Sequence, residues 1–228
     1  MSDFLVFAIT LIQAYIIGGI NGAIITSKNL YKRDIREFGS GNPGTTNFYR
    51  TFGMRGTLLV VVIDVVKTAA PIFIGWGLYA LFGNSDATRI GMTGRIVAGL
   101  GVILGHCFPI YYKFRGGKAV LALGTLLFTI DWRVSVVGWG LFLIFVLTTR
   151  YVSLGAIIGS LGYPIALLYL RLRADVAATT FDFWIAALSA VIVIARHHAN
   201  IGRLLHGNER KFSFRRSKPQ PESEEIMK

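Results

Sequence analysis

Long stretches with few or no charged residues alternate with short clusters of glycine, proline and basic side chains. The first apolar stretch runs from Phe4 to Ser27 without a charge, and others follow at roughly 57–82, 94–112, 119–130, 134–149, 151–170 and 181–196. A helix rises about 1.5 Å per residue, so about 20 apolar residues cross a hydrocarbon core. Most of the segments reach that length. Segments 119–130 and 181–196 are short and read as tilted, part-buried or extended by neighbours. The pattern predicts an all-α integral membrane protein of about seven transmembrane helices.

Composition agrees. Of 228 residues, 53% are hydrophobic, and the mean hydropathy is +0.55, which excludes an ordinary soluble domain. The first segment does not read as a secretion signal, because no Lys or Arg precedes it and no small-residue cleavage site follows. A single cysteine, Cys107, excludes an intrachain disulfide. The net charge of +12 raises the question of nucleic acid. Basic loops facing anionic lipid explain it without such a partner.

Charge also orients the chain. With the N-terminus outside and the C-terminus cytoplasmic, only Arg89, Arg95, Arg133, Arg171 and Arg173 fall in outer loops. Nearly all the other basic residues fall inside, as the positive-inside rule asks. Residues 1–212 form one membrane domain in this reading, and 213–228 a disordered cytoplasmic tail ending in SKPQPESEEIMK. The polar, glycine-rich segments then share the cytoplasmic face.

Three of those segments offer chemistry. The loop Gly39–Arg50, GSGNPGTTNFYR, presents backbone N–H groups at Gly41 and Gly44 and side chains at Ser40, Asn42, Thr46 and Asn47, with Arg50 as a charged clamp. Such a set suits phosphate; an ordinary turn around Asn42-Pro43-Gly44 is the competing reading. The second, GHCFPIYYKFRGGK, ends in Gly116, Gly117 and Lys118, a second anion site or a membrane anchor. It is not a Walker A loop, since Tyr112 and Ala119 stand where glycine and Ser or Thr are needed. The third, RHHANIGRLLHGNERK, sets Arg196, His197, Asn200 and Arg203 at helical spacing, either a polar wall or an interfacial helix. Asp64 and Lys67, three apart within a segment, are expected to pair. The histidines lack ligand partners at metal spacing, so no metal is expected, and the HxxxxD pattern of many acyltransferases is absent.

Together, in this order, the three motifs resemble those of the bacterial acyl-phosphate:glycerol-3-phosphate acyltransferases, the PlsY family. DVVKTAAP from Asp64 and RYVSLGA around Ser153 are similar to its second helix and a later serine segment. The resemblance spans about residues 15–211. It implies an enzyme of the bacterial inner membrane with its active site facing the cytoplasm and no cofactor. Its substrates would be acyl phosphate and glycerol 3-phosphate, acylated at the 1-hydroxyl. Lysophosphatidic acid and phosphate would be the products, in the first step of phospholipid synthesis. By motif position it implies catalytic roles for Ser40, Arg50, Lys118, Ser153, His197 and Asn200.

Acyl phosphate is already activated, so direct attack without an acyl-enzyme is expected, with catalysis by positioning and charge stabilisation. Two departures stand out. Ala119-Val120-Leu121-Ala122 replaces the family's usual Gly-Val-Ala-Thr, and Ala199 replaces its usual glutamate. The alternatives are a non-catalytic paralogue, or a transporter or binding protein for an organic phosphate. A transporter would spread polar groups near the midplane of several helices.

Overall fold

The computed structural model describes residues 2–83 and 87–212, all helix, turn and loop; the expected tail, 213–228, lies outside them. Helix α1 (Asp3–Gly18) starts at a Ser2 cap with Asp3 in its first turn, where a negative charge meets the positive end of the helix dipole. The first apolar stretch does not continue as one rod. It breaks at Gly19–Asn21 and resumes as α2 (Gly22–Tyr31). The cause is local. Gly18 and Gly105 lie so close to the opposing backbone of α5 (Ala87–Cys107) or α1 that a Cβ at either position would collide. Small residues bring the two helices into contact. Asn21, buried, then caps α2 by accepting from the Ile24 amide at 2.9 Å.

A short helix α3 (Thr45–Phe52) leads into α4 (Met54–Phe82), which carries Pro71. The expected intramembrane pair forms on α4, with Lys67 Nζ 2.9 Å from Asp64 Oδ1 and both side chains nearly inaccessible. The ammonium also donates to the carbonyl of Ile20 at the helix break (2.5 Å) and to Nδ1 of His106 (2.9 Å). The amide of Gly22 donates to Asp64 at 3.1 Å. Burying two charges is tolerated because each has hydrogen-bond partners besides the other.

Next come α6 (Val120–Ile130), α7 (Trp132–Thr149), α8 (Val152–Leu172), α9 (Thr180–Ala195) and α10 (His198–Leu205). Asp131 alone separates α6 from α7 and caps the latter, accepting from the Arg133 amide at 2.8 Å. Helices α9 and α10 bend by 59° at Arg196–His197. By length and composition five helices among the described residues qualify as spans, with α1 and α2 counted together, and a sixth if α9 and α10 form one bent span. The difference from seven is α6, whose 11 residues are too short alone. It lies against α4, α5 and α7 with most of its residues buried. Leu58, Val62 and Val66 on α4 and Ile144 and Leu147 on α7 face outward. An apolar exterior of this kind suits lipid rather than water.

Candidate active site

A cavity of about 400 Å³ opens where the three sequence motifs meet. Ser40, Arg50, Lys118, Ser153, His197 and Asn200 all line it, although up to 160 positions separate them along the chain.

The first wall is the loop before α3. Gly39 and Gly41 take positive φ, and a Cβ on Gly39 would strike Oδ1 of Asn47, which accepts from the Ser40 amide at 3.0 Å. The Asn47 amide nitrogen donates to the Phe38 and Ile35 carbonyls at 3.0 and 3.5 Å. Asn47 lines the cavity and, through both ends of its side chain, braces the loop. Asn21 ties the loop to the helix break by donating to the Pro43 carbonyl at 3.1 Å. Gly44, Thr45 and Thr46 bring the N-terminus of α3 to the cavity, and no side chain caps it. Unpaired N–H groups there favour an anion. Asn42 lines the cavity as well, whereas Gly41 does not. Arg50, half-buried, lines the cavity and makes no side-chain hydrogen bond or ion pair among the described residues.

The second wall carries a correction. Gly116 and Gly117 are buried away from the cavity. Gly116 fits against the His106 carbonyl and Pro109, where no Cβ has room. The Gly117 amide donates to the His106 carbonyl at 3.0 Å. Arg196 donates to the carbonyls of Gly116 and Gly117 at 3.0 and 3.1 Å. The glycines thus anchor the turn that presents Lys118, and neither lines the cavity. Lys118 Nζ donates to Oδ1 of Asn200. Burial, followed by the guanidinium groups of Arg203 and Arg196, pulls its amine down to about 8. Ala119 follows in the left-handed region at φ 55°, which suits glycine better than alanine.

The third wall contains a residue the motif reading passed over. After α10, Gly207 turns the chain at φ 70°, and the Phe212 amide donates to the Arg150 carbonyl at 2.7 Å. This reversal carries Glu209 back over α8 and α10. Its Oε1 accepts from Ser153 Oγ and from Asn200 Nδ2, each at 2.6 Å, and its Oε2 accepts from Arg203 Nε at 2.7 Å. Burial works to raise the carboxyl, but these hydrogen bonds outweigh it and hold the group below its ordinary range. The available signal was a single carboxylate inside a basic motif. His197 is buried, with Nδ1 2.7 Å from the Val193 carbonyl. A carbonyl only accepts, so Nδ1 carries the proton and Nε2 is left as the ring's acceptor. Ala199 is exposed on α10, and Ala122 is buried in the core; neither lines the cavity.

Apart from His106 and Arg210, the remaining lining is apolar: Val61, Ala119, Val120, Leu121, Trp139, Phe142, Val152 and Ala156. The site is thus cationic on one side and hydrocarbon on the other. Asp64 and Glu209 line it too, but each is paired, with Lys67 and Arg203. Among the described residues no group of three His, Cys, Asp or Glu side chains is placed to hold a metal.

Residues 8–207 match the profile of the glycerol-3-phosphate acyltransferase family. A glycerol-3-phosphate acyltransferase of Finegoldia magna is 37% identical over 214 residues, covering 92% of this chain and 98% of that protein. One from Syntrophotalea carbinolica is 38% identical over 208 residues, covering 90% and 97%. Among solved structures, PlsY, an integral membrane glycerol 3-phosphate acyltransferase in its glycerol 3-phosphate form, superposes with a TM-score of 0.74 at 30% identity. That match covers 91% of this chain and 96% of PlsY. The lysophosphatidic acid form of PlsY gives a TM-score of 0.72 at 29% identity.

Proposed function

The chain belongs to the glycerol-3-phosphate acyltransferase family and matches its PlsY members, and from that premise we propose that its acyl donor is an acyl phosphate. The observation that carries this reading is the division of the cavity. Arg50, Lys118, Arg203 and the open N-terminus of α3 supply enough positive potential for two phosphates, and the apolar wall beside them suits an acyl chain.

The geometry supports direct transfer between the two substrates. The 1-hydroxyl oxygen of glycerol 3-phosphate attacks the carbonyl carbon of the acyl phosphate. The carbon–oxygen bond to phosphate breaks, inorganic phosphate leaves, and lysophosphatidic acid remains. The hydroxyl proton passes to His197 Nε2 or to a substrate phosphate oxygen. Arg50, with its donors unspent, clamps one phosphate, and Lys118 with Arg203 holds the other. Fixing two anions side by side is mainly an entropic task, and the cations also stabilise charge on the leaving phosphate. Ser40 stands at the loop's rim. Ser153 and Asn200, held by Glu209, orient substrate from the opposite wall. No protein nucleophile is required.

In this reading residues 1–212 form one membrane domain of a bacterial inner-membrane enzyme. Helix α6 completes a seventh crossing with its neighbours, the N-terminus lies outside, and the cavity faces the cytoplasm. The positive-inside charge distribution supports that orientation.

Purified protein in lipid, given palmitoyl phosphate and glycerol 3-phosphate, should release phosphate and form lysophosphatidate, and palmitoyl-CoA should not replace the donor. No turnover with acyl phosphates of several lengths would overturn the proposal. Trapping an acylated serine would overturn direct attack.

A further inference from the structure

The apolar side of the cavity does not end at its wall. Behind that wall lies a narrow crevice between α6, α7 and α8, and Val120, Trp139, Phe142 and Ala156 line both spaces. The crevice holds only about 20 Å³ and is walled by Leu123, Leu127 and the backbones of Gly124, Gly138 and Gly159. A Cβ on Gly159 would meet the Gly138 carbonyl at 2.8 Å, so α7 and α8 meet backbone to backbone along its floor. Ser160 also borders it, but its hydroxyl donates to the Ala156 carbonyl at 2.6 Å.

Trp139 stands at the junction and is held there in three ways. Its Nε1 donates to the Gly124 carbonyl at 3.1 Å. Its ring fills the space that a Cβ on Gly124 would take. The Phe142 ring meets it edge-on, with centroids 5.4 Å apart. An indole fixed by a hydrogen bond, a slot and an aromatic neighbour does not swing aside cheaply.

Resting on the reading that an acyl donor binds in the cavity, we infer that Trp139 sets the acyl-chain-length preference by limiting how far the chain runs between α6, α7 and α8. The occupant is the methylene chain of the substrate, because the crevice shares Val120, Trp139, Phe142 and Ala156 with the space where the charged head would sit and is lined mainly by hydrocarbon. Removing the indole joins the two spaces and admits further methylenes.

The test uses the full-length protein in lipid nanodiscs with octanoyl, lauroyl and palmitoyl phosphate. A methylene in an apolar pocket changes kcat/KM by roughly tenfold or more, so Trp139→Leu should raise the palmitoyl-to-lauroyl ratio by about tenfold. Trp139→Phe, with a smaller ring, should shift it less and in the same direction, which keeps the test alive if the leucine variant does not fold. The KM for glycerol 3-phosphate should not move in either variant. A ratio equal to wild type overturns the inference, and means that bulk lipid fills the crevice. Equal loss at every length overturns it too, since the indole is then only structural. A wild-type protein inactive on every acyl phosphate fails at the earlier step and overturns the donor assignment, and the inference with it.

Discussion

The hydroxyl of Ser153 donates to Oε1 of Glu209 at 2.6 Å, joining the first turn of α8 to a chain segment 56 residues later. Asn200 donates to the same oxygen and Arg203 to the other, so one carboxylate aligns three side chains on one wall of the cavity. Glu209→Gln keeps the shape but replaces one acceptor oxygen with a donor and removes the charge. Loss of a preorganised charged contact costs roughly 10²-fold or more in rate, and kcat/KM should fall by about that factor. Steady-state kinetics of variant and wild type check it; activity within twofold would leave Glu209 a merely structural strut.

Arg50 has no side-chain hydrogen bond or ion pair to lose among the described residues, and the attraction of Glu209 is opposed by the repulsion of Arg210. Arg50→Ala should therefore leave the thermal midpoint almost unchanged, since substitutions away from packed or paired features stay within about 0.5 kcal/mol. Turnover, in contrast, should fall by about 10²-fold, and Arg50→Lys should recover only part of it because a point charge replaces a fork. A thermal shift assay run beside the kinetics separates the two effects.

Lys118 titrates near 8 in the free protein, so it is a cation below that pH and loses its charge above it. On the proposed mechanism kcat/KM should hold on the acid side and decline as pH rises through about 8, because the free enzyme's ionisation appears in that parameter. Lys118→Arg should move the alkaline limb upward out of the measured range, since arginine keeps its proton. A pH–rate profile of both proteins decides it; an identical limb in the arginine variant would assign the decline to another group.

Lys67 contributes in another way. Its ammonium holds the broken end of α1 through the Ile20 carbonyl, and Asp64 on the other side. Lys67→Met leaves a buried carboxylate without its counter-charge, which costs about 3–5 kcal/mol, and the thermal midpoint should drop sharply. Replacing both partners, Asp64→Asn with Lys67→Met, should recover much of the loss. If the double variant is as unstable as the single, the carbonyl contact rather than the uncompensated charge is what matters.

What was legible in the chain was whatever depends on spacing or on the grouping of polar motifs. Asp64 and Lys67 pair as their three-residue separation suggests, and the three polar motifs meet at one cavity as a shared face requires. What was hidden depends on contacts between distant segments. The Gly19–Asn21 break sits inside an uncharged stretch that hydropathy reads as one rod; Gly18-Gly19 and Asn21-Gly22 are local turn signals, but the contact of Gly18 and Gly105 between α1 and α5 comes from distant segments. Gly116 and Gly117 looked like phosphate donors because glycine permits both close approach to a ligand and close contact with a neighbouring helix; Arg196 and His106 show it is the second. Glu209 gains its place from the turn at Gly207, which no periodicity records.

The division of the cavity into a cationic side and a hydrocarbon side has a kinetic meaning. For the proposed reaction, one substrate arrives from water and is counted in molar units, while the other arrives within the bilayer and is counted as a mole fraction. Adding inert lipid at constant total donor should slow the enzyme by surface dilution, without changing its response to dissolved glycerol 3-phosphate.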